Sequence, residues 1–279
     1  MSSTRSVLIT GCSDGGLGAA LHEAGLHVYA TARNPSKMTG LAARGIKTLA
    51  LDVLDETSIA DCVSKLPSLD ILINNAGGGH SMPVTDLSIP EAKKTFDLNV
   101  WSYIAVTQAF LPLLLKSPKA MVVNQTSIAS LAAIPFQSVY NASKAAMAMI
   151  SDSLRLELQP FGIHVVDLRT GVVRSNLVSN IASAQPVLPK GSIYEPAREE
   201  VEKALRQEEF ADAGWPASQW AEQVTRDLLK TNPPLLVWKG ESVCLMRLAS
   251  LLPAGALDGT VMKVTNLDAV SQKVKAKNA

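Results

Sequence analysis

The stretch Ser6-Val7-Leu8-Ile9-Thr10-Gly11-Cys12-Ser13-Asp14-Gly15-Gly16-Leu17-Gly18 decides the fold of this chain. Its first five residues are an apolar, β-rich run of the kind found in a buried parallel strand. Glycines follow at once and lead into a helical pattern. A strand, a glycine-rich turn and a helix N-terminus together form a site for a pyrophosphate, because backbone N–H groups and the helix dipole bind the anion. The stretch therefore predicts dinucleotide binding.

Strands and helical patterns alternate along the rest of the chain. Six more strands are predicted, at His27–Thr31, Lys47–Leu51, Leu69–Ile73, Ala120–Asn124, Ile163–Leu168 and Leu235–Lys239. Helical patterns include 88–116, a helix that carries Lys144 and continues through Leu158, 195–213 and 216–231. Repeated β-α-β units form a parallel sheet with right-handed crossovers. We therefore expect an α/β fold, a single Rossmann-like doubly wound domain over residues 1–279 with about seven strands and helices on both faces.

The end of the second strand bears on the choice of cofactor. An acidic residue there binds the 2′-hydroxyl of NAD, whereas an arginine suits the 2′-phosphate of NADP. Thr31, Ala32 and Arg33 contain no acid, so NADP(H) is favoured over NAD(H). A solvated loop charge is the alternative interpretation of Arg33.

Polar residues also follow the third and fourth strands. Asp52 is placed to bond an adenine amino group, and Asn74-Asn75-Ala76-Gly77 follows the fourth strand. The asparagine and glycine run could be only a turn. Its position at the carboxyl end of a strand, beside the expected cofactor crevice, favours a role in binding.

Tyr140-Asn141-Ala142-Ser143-Lys144 carries the candidate chemistry. In a helix, Tyr140 and Lys144 leave the same face one turn apart. A free tyrosine has a pKa of about 10, and a neighbouring cation lowers it by stabilising the phenolate. Tyr140 is thus a candidate general acid/base, although the five residues alone could equally be an ordinary pair on a helix surface.

Two further residues complete the candidate site. Asn99 lies in the middle of the long helical pattern, where asparagine is a poor choice, and we expect it to loosen the helix locally. Ser127 lies at the end of the fifth strand, from which a loop can return its hydroxyl toward the phenol.

The composition limits the classes of partner. The chain has 279 residues, 47% of them hydrophobic, and 26 basic residues against 25 acidic ones give a net charge of +1. This balance argues against nucleic acid or an anionic membrane as the main partner and favours a small ligand. The 3 cysteines and 4 histidines are scattered, so neither a disulfide framework nor a metal site is expected. The apolar run 243–257 is too short to span a bilayer; at most it lies on a membrane or lines a pocket.

Together, Thr10-Gly11 with Gly16-x-Gly18, Asn74-Asn75-Ala76-Gly77, Asn99, Ser127 and Tyr140-x-x-x-Lys144 resemble the classical short-chain dehydrogenase/reductases over nearly the whole chain. The tail looks most like the fungal branch typified by NADPH-dependent 1-acyldihydroxyacetone phosphate reductase. The resemblance implies that Tyr140 donates the proton and Ser127 polarises the carbonyl. It further implies that Lys144 binds the nicotinamide ribose and lowers the pKa of Tyr140, and that Asn99 anchors a water molecule. Implied cofactor-binding residues are Gly11, Ser13, Gly16, Leu17, Gly18, Arg33, Asp52, Asn75, Ala76, Gly77, Tyr140, Lys144, Val172 and Ser175.

Three departures from that family pattern stand out. The glycine turn is one residue longer than usual, and Thr170 replaces the usual proline before Gly171. The spacing from Gly18 to Gly25 is short, so the first helix lacks roughly one turn. We expect weaker packing under the pyrophosphate loop as a result.

The leading functional hypothesis is an NADPH-dependent oxidoreductase that reduces a ketone or aldehyde, or oxidises the alcohol, of a small and largely apolar substrate. A fungal secondary-metabolite intermediate fits this description. Residues 1–130 would bind the dinucleotide, 176–215 would cover the substrate, and 241–279 would form a tail. Two alternatives stay open: an acyl-dihydroxyacetone-phosphate reductase at a membrane surface, and a non-catalytic NADP-binding regulator. A cytoplasmic location is expected, with peripheral contact with the endoplasmic reticulum or a lipid droplet and homo-oligomerisation left open.

Overall fold

The computed structural model describes residues 4–13, 16–253 and 255–278. Asp14 and Gly15 of the glycine-rich turn lie outside the described residues, as do Met1, Ser2 and Ser3. The strands are β1 Ser6–Ile9, β2 His27–Ala32, β3 Lys47–Ala50, β4 Ile71–Asn74, β5 Met121–Ser127, β6 His164–Thr170, β7 Val173–Arg174, β8 Trp215–Pro216 and β9 Leu236–Lys239. The helices are α1 Leu17–Glu23, α2 Thr39–Ala43, α3 Glu56–Ser64, α4 Ile89–Phe96, α5 Ser102–Leu114, α6 Ser138–Leu158, α7 Asn176–Ser183, α8 Arg198–Leu205, α9 Ala217–Leu228, α10 Val243–Ala249, α11 Asp258–Val264 and α12 Leu267–Asn278.

One 7-stranded parallel sheet forms the centre, in the order β3-β2-β1-β4-β5-β6-β9. The strand order reverses between β1 and β4, which opens a crevice at the carboxyl ends of these strands. Helices cover both faces. The predicted Rossmann-like α/β fold is therefore confirmed.

The fifth strand is longer than the sequence predicts. The pattern places its end at Asn124, but the strand continues to Ser127, since β6 pairs with it up to the partners Ser127 and Thr170. The ladder thus fixes the backbone of Ser127, which lies on the strand itself.

Apolar side chains fill both sides of the sheet. On one side, Leu17 and Leu21 of α1 join a buried cluster with Trp220 and Val224 of α9. On the other side, a second cluster gathers residues of α3, α5 and α6. The apolar residues of the short first helix, Leu17, Ala20 and Leu21, are all buried, so packing against α9 supports this helix.

A third apolar cluster links the 176–215 segment to the C-terminal helix. Leu188, Val201 and Leu205 pack in it with Phe136 and with Val270 of α12. The tail is therefore packed against the segment that we expect to cover the substrate.

The prediction of a continuous helix over 195–213 is wrong. Helix α8 ends at Leu205, and Gln207 has a left-handed backbone with φ 55°. The buried Gln207 side chain donates a hydrogen bond to Ser81 Oγ at 3.2 Å. This tertiary contact takes the place of another helical turn, and a short 3₁₀ turn follows at Glu208–Phe210.

Within the apolar run 243–257, Val243–Ala249 form helix α10, and Leu245, Leu248 and Leu251 are exposed. None of the helices in the described part of the chain is both long and apolar enough to cross a membrane. Within the described ranges, no group of three His, Cys, Asp or Glu side chains is arranged to hold a metal ion.

Candidate active site

Helix α6 and the end of β5 bring the predicted hydroxyl groups together. Tyr140 and Lys144 lie one turn apart near the start of α6, and the side chains of Tyr140 and Ser127 form a hydrogen bond. Ser127 Oγ also accepts the backbone N–H of Ala129 at 3.1 Å. A substrate oxygen placed against this pair could receive hydrogen bonds from two hydroxyl groups.

Lys144 is held beneath the phenol. Its side chain is buried, and Nζ donates to the backbone oxygen of Gln125 at 2.9 Å. Nζ lies 5.5 Å from the ring centre of Tyr103 and 6.0 Å from that of Tyr140. Burial lowers the pKa of Lys144 to about 8, and the negative charge of Asp167 acts in the opposite direction.

The expected lowering of the tyrosine pKa is not found. Burial raises the pKa of Tyr140, and the hydrogen bond from Ser127 only partly offsets this effect. The Lys144 ammonium group donates to the Gln125 carbonyl and lies 6.0 Å from the centre of the phenol ring, so burial is the larger influence on Tyr140. Tyr140 therefore keeps its proton at neutral pH.

Asn99 interrupts the long helix as expected. A π-helical segment, Asp97–Trp101, separates α4 from α5, and such turns often occur at functional sites. The fully buried Asn99 amide accepts the N–H of Gly78 at 2.9 Å and donates to the Gly78 oxygen at 2.9 Å. It also donates to Ser143 Oγ at 3.0 Å. Asn99 thus connects the loop after β4 to the helix that carries Tyr140 and Lys144.

Thr10 belongs to the motif quoted above, but sequence reasoning assigned it no role, and the structure makes it a positioning residue. Its hydroxyl accepts the backbone N–H groups of Asn75 and Ala76, each at 2.9 Å, and Asn75 Nδ2 donates to the Thr10 oxygen at 2.8 Å. The loop after β4 is therefore fixed to the end of β1. A threonine directly before the first glycine was the available signal.

The glycines of the two loops allow close approach. Gly11 has φ 68°, and a Cβ atom there would lie 2.6 Å from Ala76 Cα. A Cβ atom on Gly77 would lie 3.2 Å from Asn99 Oδ1 and 3.5 Å from Lys144 Nζ. The missing side chains leave a cradle between the two loops and the ammonium group. These residues fit a dinucleotide whose nicotinamide end approaches Lys144.

The other predicted cofactor residues lie around the same sheet edge. Arg33 is exposed just after β2, and Asp52 follows β3 with Oδ1 accepting the N–H of Leu54 at 3.0 Å. Gly16 precedes α1, a Cβ atom on Gly18 would lie 3.8 Å from Ile9 Cδ1, and the Leu17 side chain is buried in the core. That leaves only the backbone of Leu17 for a ligand. Ser13 is exposed.

Val172 and Ser175 follow β6 on the far side of the crevice. The backbone N–H of Val172 donates to Glu241 at 3.1 Å, and its oxygen accepts from Glu241 and Trp215 at 3.1 and 3.2 Å. Only the Val172 side chain thus remains for a cofactor. The Ser175 hydroxyl caps α7 by accepting the N–H of Leu177 at 3.4 Å.

Four basic residues, Arg169, Arg174, Lys190 and Arg198, are the candidates to meet a phosphate on a substrate, and two of them are engaged within the chain. Arg169 pairs with Asp167, and Arg198 pairs with Glu195 and Glu202. Arg174 and Lys190 are exposed. A phosphate group on the substrate would therefore bind to Arg174 or Lys190 more readily than to Arg169 or Arg198.

A parallel Rossmann-like sheet, a glycine-lined crevice and a serine, tyrosine, lysine and asparagine around its end define an oxidoreductase that uses a nicotinamide cofactor. The family model described as short chain dehydrogenase matches residues 5–186. The chain belongs to the short-chain dehydrogenase/reductase family, whose members bind such a cofactor.

Similar proteins cover nearly the full length. A short-chain dehydrogenase/reductase of Pestalotiopsis microspora is 52% identical over 280 residues, which is 99% of each chain. The NADPH-dependent 1-acyldihydroxyacetone phosphate reductase of Schizosaccharomyces pombe is 36% identical over 96% of each chain. The crystal structure of a short-chain dehydrogenase from Streptomyces avermitilis superposes with a TM-score of 0.75 at 26% identity and covers 98% of each chain.

Proposed function

We propose that this protein reduces the carbonyl group of a small, largely apolar ketone or aldehyde with NADPH, or oxidises the corresponding alcohol. The observation that carries the proposal is the hydrogen-bonded pair of Ser127 and Tyr140 above the buried Lys144. When bound, the nicotinamide would supply the hydride.

Four side chains of the protein would carry out the other steps of the reaction. Tyr140 donates its proton to the carbonyl oxygen, and Ser127 donates a hydrogen bond to the same oxygen, which stabilises the developing negative charge. Lys144 holds the nicotinamide ribose and supplies positive charge beneath the phenol. Asn99 keeps the Gly77–Gly78 loop in register with α6 and anchors a water molecule for the proton relay.

The preference for NADPH rests on Arg33. The guanidinium is exposed at the carboxyl edge of β2, and neither Thr31 nor Ala32 offers a carboxylate to a ribose hydroxyl. A charge-assisted contact with the 2′-phosphate is worth roughly 1.5–3 kcal/mol. The NADPH in the name of the Schizosaccharomyces pombe relative supports the same choice.

The apolar character of the substrate follows from the segment 176–215. Ile181 of α7 packs against Gly79, in the loop after β4, and a Cβ atom on that glycine would lie 2.3 Å from Ile181 Cδ1. This packing presents aliphatic side chains next to the Asn99-linked loop. An intermediate of fungal secondary metabolism remains our working hypothesis for the substrate.

A second candidate is the reduction of an acylated, phosphorylated ketone at a lipid surface. The Schizosaccharomyces pombe relative and the exposed leucines of the 243–257 run favour it. The engagement of Arg169 and Arg198 in internal ion pairs weighs against it. A non-catalytic NADP-binding regulator is a third candidate, but binding alone would not require the paired hydroxyls of Ser127 and Tyr140.

The decisive experiment is a screen of carbonyl compounds that follows the absorbance of NADPH. Once a substrate is found, Tyr140→Phe should lose at least about 100-fold in kcat while still binding NADPH. Tyr29→Phe is the matched control, because Tyr29 is buried in β2 away from the site and its loss should leave kcat near the original value. A Tyr140→Phe variant that turns over at the original rate would remove the basis of the proposal.

The lipid candidate is tested with a phosphorylated acyl ketone and lipid vesicles. If it is correct, Arg174→Ser or Lys190→Ser should raise KM for the phosphorylated ketone without changing KM for a neutral one. Leu248→Ser should reduce flotation with the vesicles. Unchanged KM values, together with no flotation of the original protein, would exclude the lipid candidate and leave only the reduction of a small apolar carbonyl compound.

A further inference from the structure

A buried ion pair lies beneath the active-site helix, outside the residues assigned above. Asp167 of β6 is only 4% exposed, and its Oδ2 accepts Arg169 Nε at 2.7 Å. Its Oδ1 accepts the hydroxyl of Thr126 in a short hydrogen bond. A buried carboxylate is strongly unfavourable unless it is paired and hydrogen-bonded, so the three side chains form one unit.

The edge strand of the sheet fixes this unit. Arg169 pairs in register with Trp238 of β9, and the guanidinium carbon lies 4.9 Å from the indole ring centre. The side chain of Arg169 is 13% exposed. A guanidinium stacked on an aromatic face and bonded to a carboxylate has little freedom, so the Asp167 charge is held in place by three adjacent strands.

The unit lies on the face of the sheet that α6 covers. Thr126 directly follows Gln125, whose backbone oxygen accepts Lys144 Nζ. Asn124, the register partner of Asp167, donates to Ser151 of α6 at 3.0 Å. The carboxylate therefore faces the same helix that carries the ammonium group of Lys144.

The charged and titratable groups around the two residues come from three elements, α5, α6 and β6. Tyr103 of α5 and Tyr140 of α6 face Lys144 with their rings. Burial raises the pKa of Asp167, whereas Thr126 and Arg169 lower it. Asp152 of α6 adds a smaller raising effect. Burial favours the neutral form of Lys144, and among these groups it is Asp167 that opposes this effect by raising the pKa.

We propose that Asp167 is a positioning residue that keeps the ammonium group of Lys144 charged at the working pH. Thr126, Arg169 and Trp238 hold the carboxylate beneath α6. The inference rests on the proposed role of Lys144 in the reaction. It explains why a charged pair, and not an apolar one, fills this part of the core.

The test is a direct titration of Lys144 by NMR in the cofactor-free protein with isotope-labelled lysine, with Lys144→Arg identifying the resonance. Asp167→Asn should move the midpoint of Lys144 to lower pH by about one unit, the scale for a nearby opposite charge. Asp152→Asn is the matched control. It removes the same charge from α6, but this side chain is 44% exposed and pairs with Arg155, so a much smaller shift is expected.

A sign test separates electrostatics from structural damage. Arg169→Gln leaves the carboxylate without its cation and should move the Lys144 midpoint upward, whereas misfolding would shift both variants in one direction. If Asp167→Asn does not fold, Arg169→Gln decides alone, and the absence of an upward shift overturns the proposal. A folded Asp167→Asn whose midpoint matches that of Asp152→Asn overturns it as well.

The titration does not depend on turnover. A failure to find any carbonyl substrate would therefore count against the proposed function and leave this inference standing. With a substrate in hand, the alkaline limb of the kcat profile should move to lower pH in Asp167→Asn, because Lys144 loses its charge earlier.

Discussion

Replacing Gly11 with alanine should lower both the folding stability and the affinity for the cofactor. The loss of stability has two parts, backbone strain and overpacking. The backbone of Gly11 has φ 68°, and an L-residue in this left-handed region costs about 1–2 kcal/mol. The new Cβ would also lie 2.6 Å from Ala76 Cα and 2.9 Å from Ala76 Cβ. Because backbone atoms must move to relieve this contact, we add about 1–3 kcal/mol for overpacking.

Gly162→Ala is the matched control for this prediction. Gly162 has φ 69° and lies at the end of the turn after α6, and a Cβ atom there would meet no other atom of the described residues within 4 Å. It should cost only the backbone strain, about 1–2 kcal/mol. The two variants should therefore differ by about 1–3 kcal/mol in the free energy of unfolding.

Urea unfolding measures the loss of folding stability, and a fluorescence titration with NADPH measures the loss of cofactor affinity. Gly11→Ala must displace the Asn75–Ala76 backbone that Thr10 holds, so NADPH affinity should fall, whereas Gly162→Ala should bind NADPH normally. Equal destabilisation in the two variants, or unchanged NADPH affinity in Gly11→Ala, would refute the close-approach argument.

Three further predictions use other parts of the structure. Arg33→Ala should erase most of the preference for NADPH over NADH, measured as the ratio of Kd values; equal affinities in the unmodified protein would show that Arg33 does not meet the 2′-phosphate. For Lys144, burial lowers the pKa to about 8, against about 10.4 in the unfolded chain, so the unfolded state binds more protons between these values. The unfolding free energy of the cofactor-free protein, relative to Lys144→Met, should therefore rise by up to about 1.4 kcal/mol per pH unit in that window; a flat difference contradicts the burial argument. Inserting Ala-Lys-Glu-Phe after Leu21 should lengthen α1 by about one turn, tighten NADPH binding and raise hydrogen-exchange protection of residues 16–25. Protection that is already high without NADPH would mean that packing against α9 fully supports the short helix.

The fold could be predicted from local pattern because most strands of the large sheet are short apolar runs that alternate with helical patterns. The sequence also located Asn99, since an asparagine is unfavourable in a helix interior and the structure has a π segment there. Local signals of this kind predict the structure correctly, because they act on the backbone conformation of the residue itself.

The contacts that sequence reasoning missed join residues far apart in the chain. Thr10 bonds to Asn75 and Ala76, and Gln207 breaks a helical pattern because its side chain reaches Ser81. Likewise, the spacing of Tyr140 and Lys144 predicted a shared helix face, but the direction of the tyrosine pKa depends on burial and on the hydrogen bond with Ser127. None of these partners is visible in a local pattern.

The raised pKa of Tyr140 bears on the direction of the reaction. A phenol that keeps its proton at neutral pH is ready to act as an acid, and reduction of a carbonyl consumes one proton at the new alcohol oxygen. Oxidation of an alcohol needs the phenolate instead, and in the cofactor-free protein burial disfavours that form. Under the proposed function, the raised pKa of Tyr140 therefore favours its role as an acid in carbonyl reduction over its role as a base.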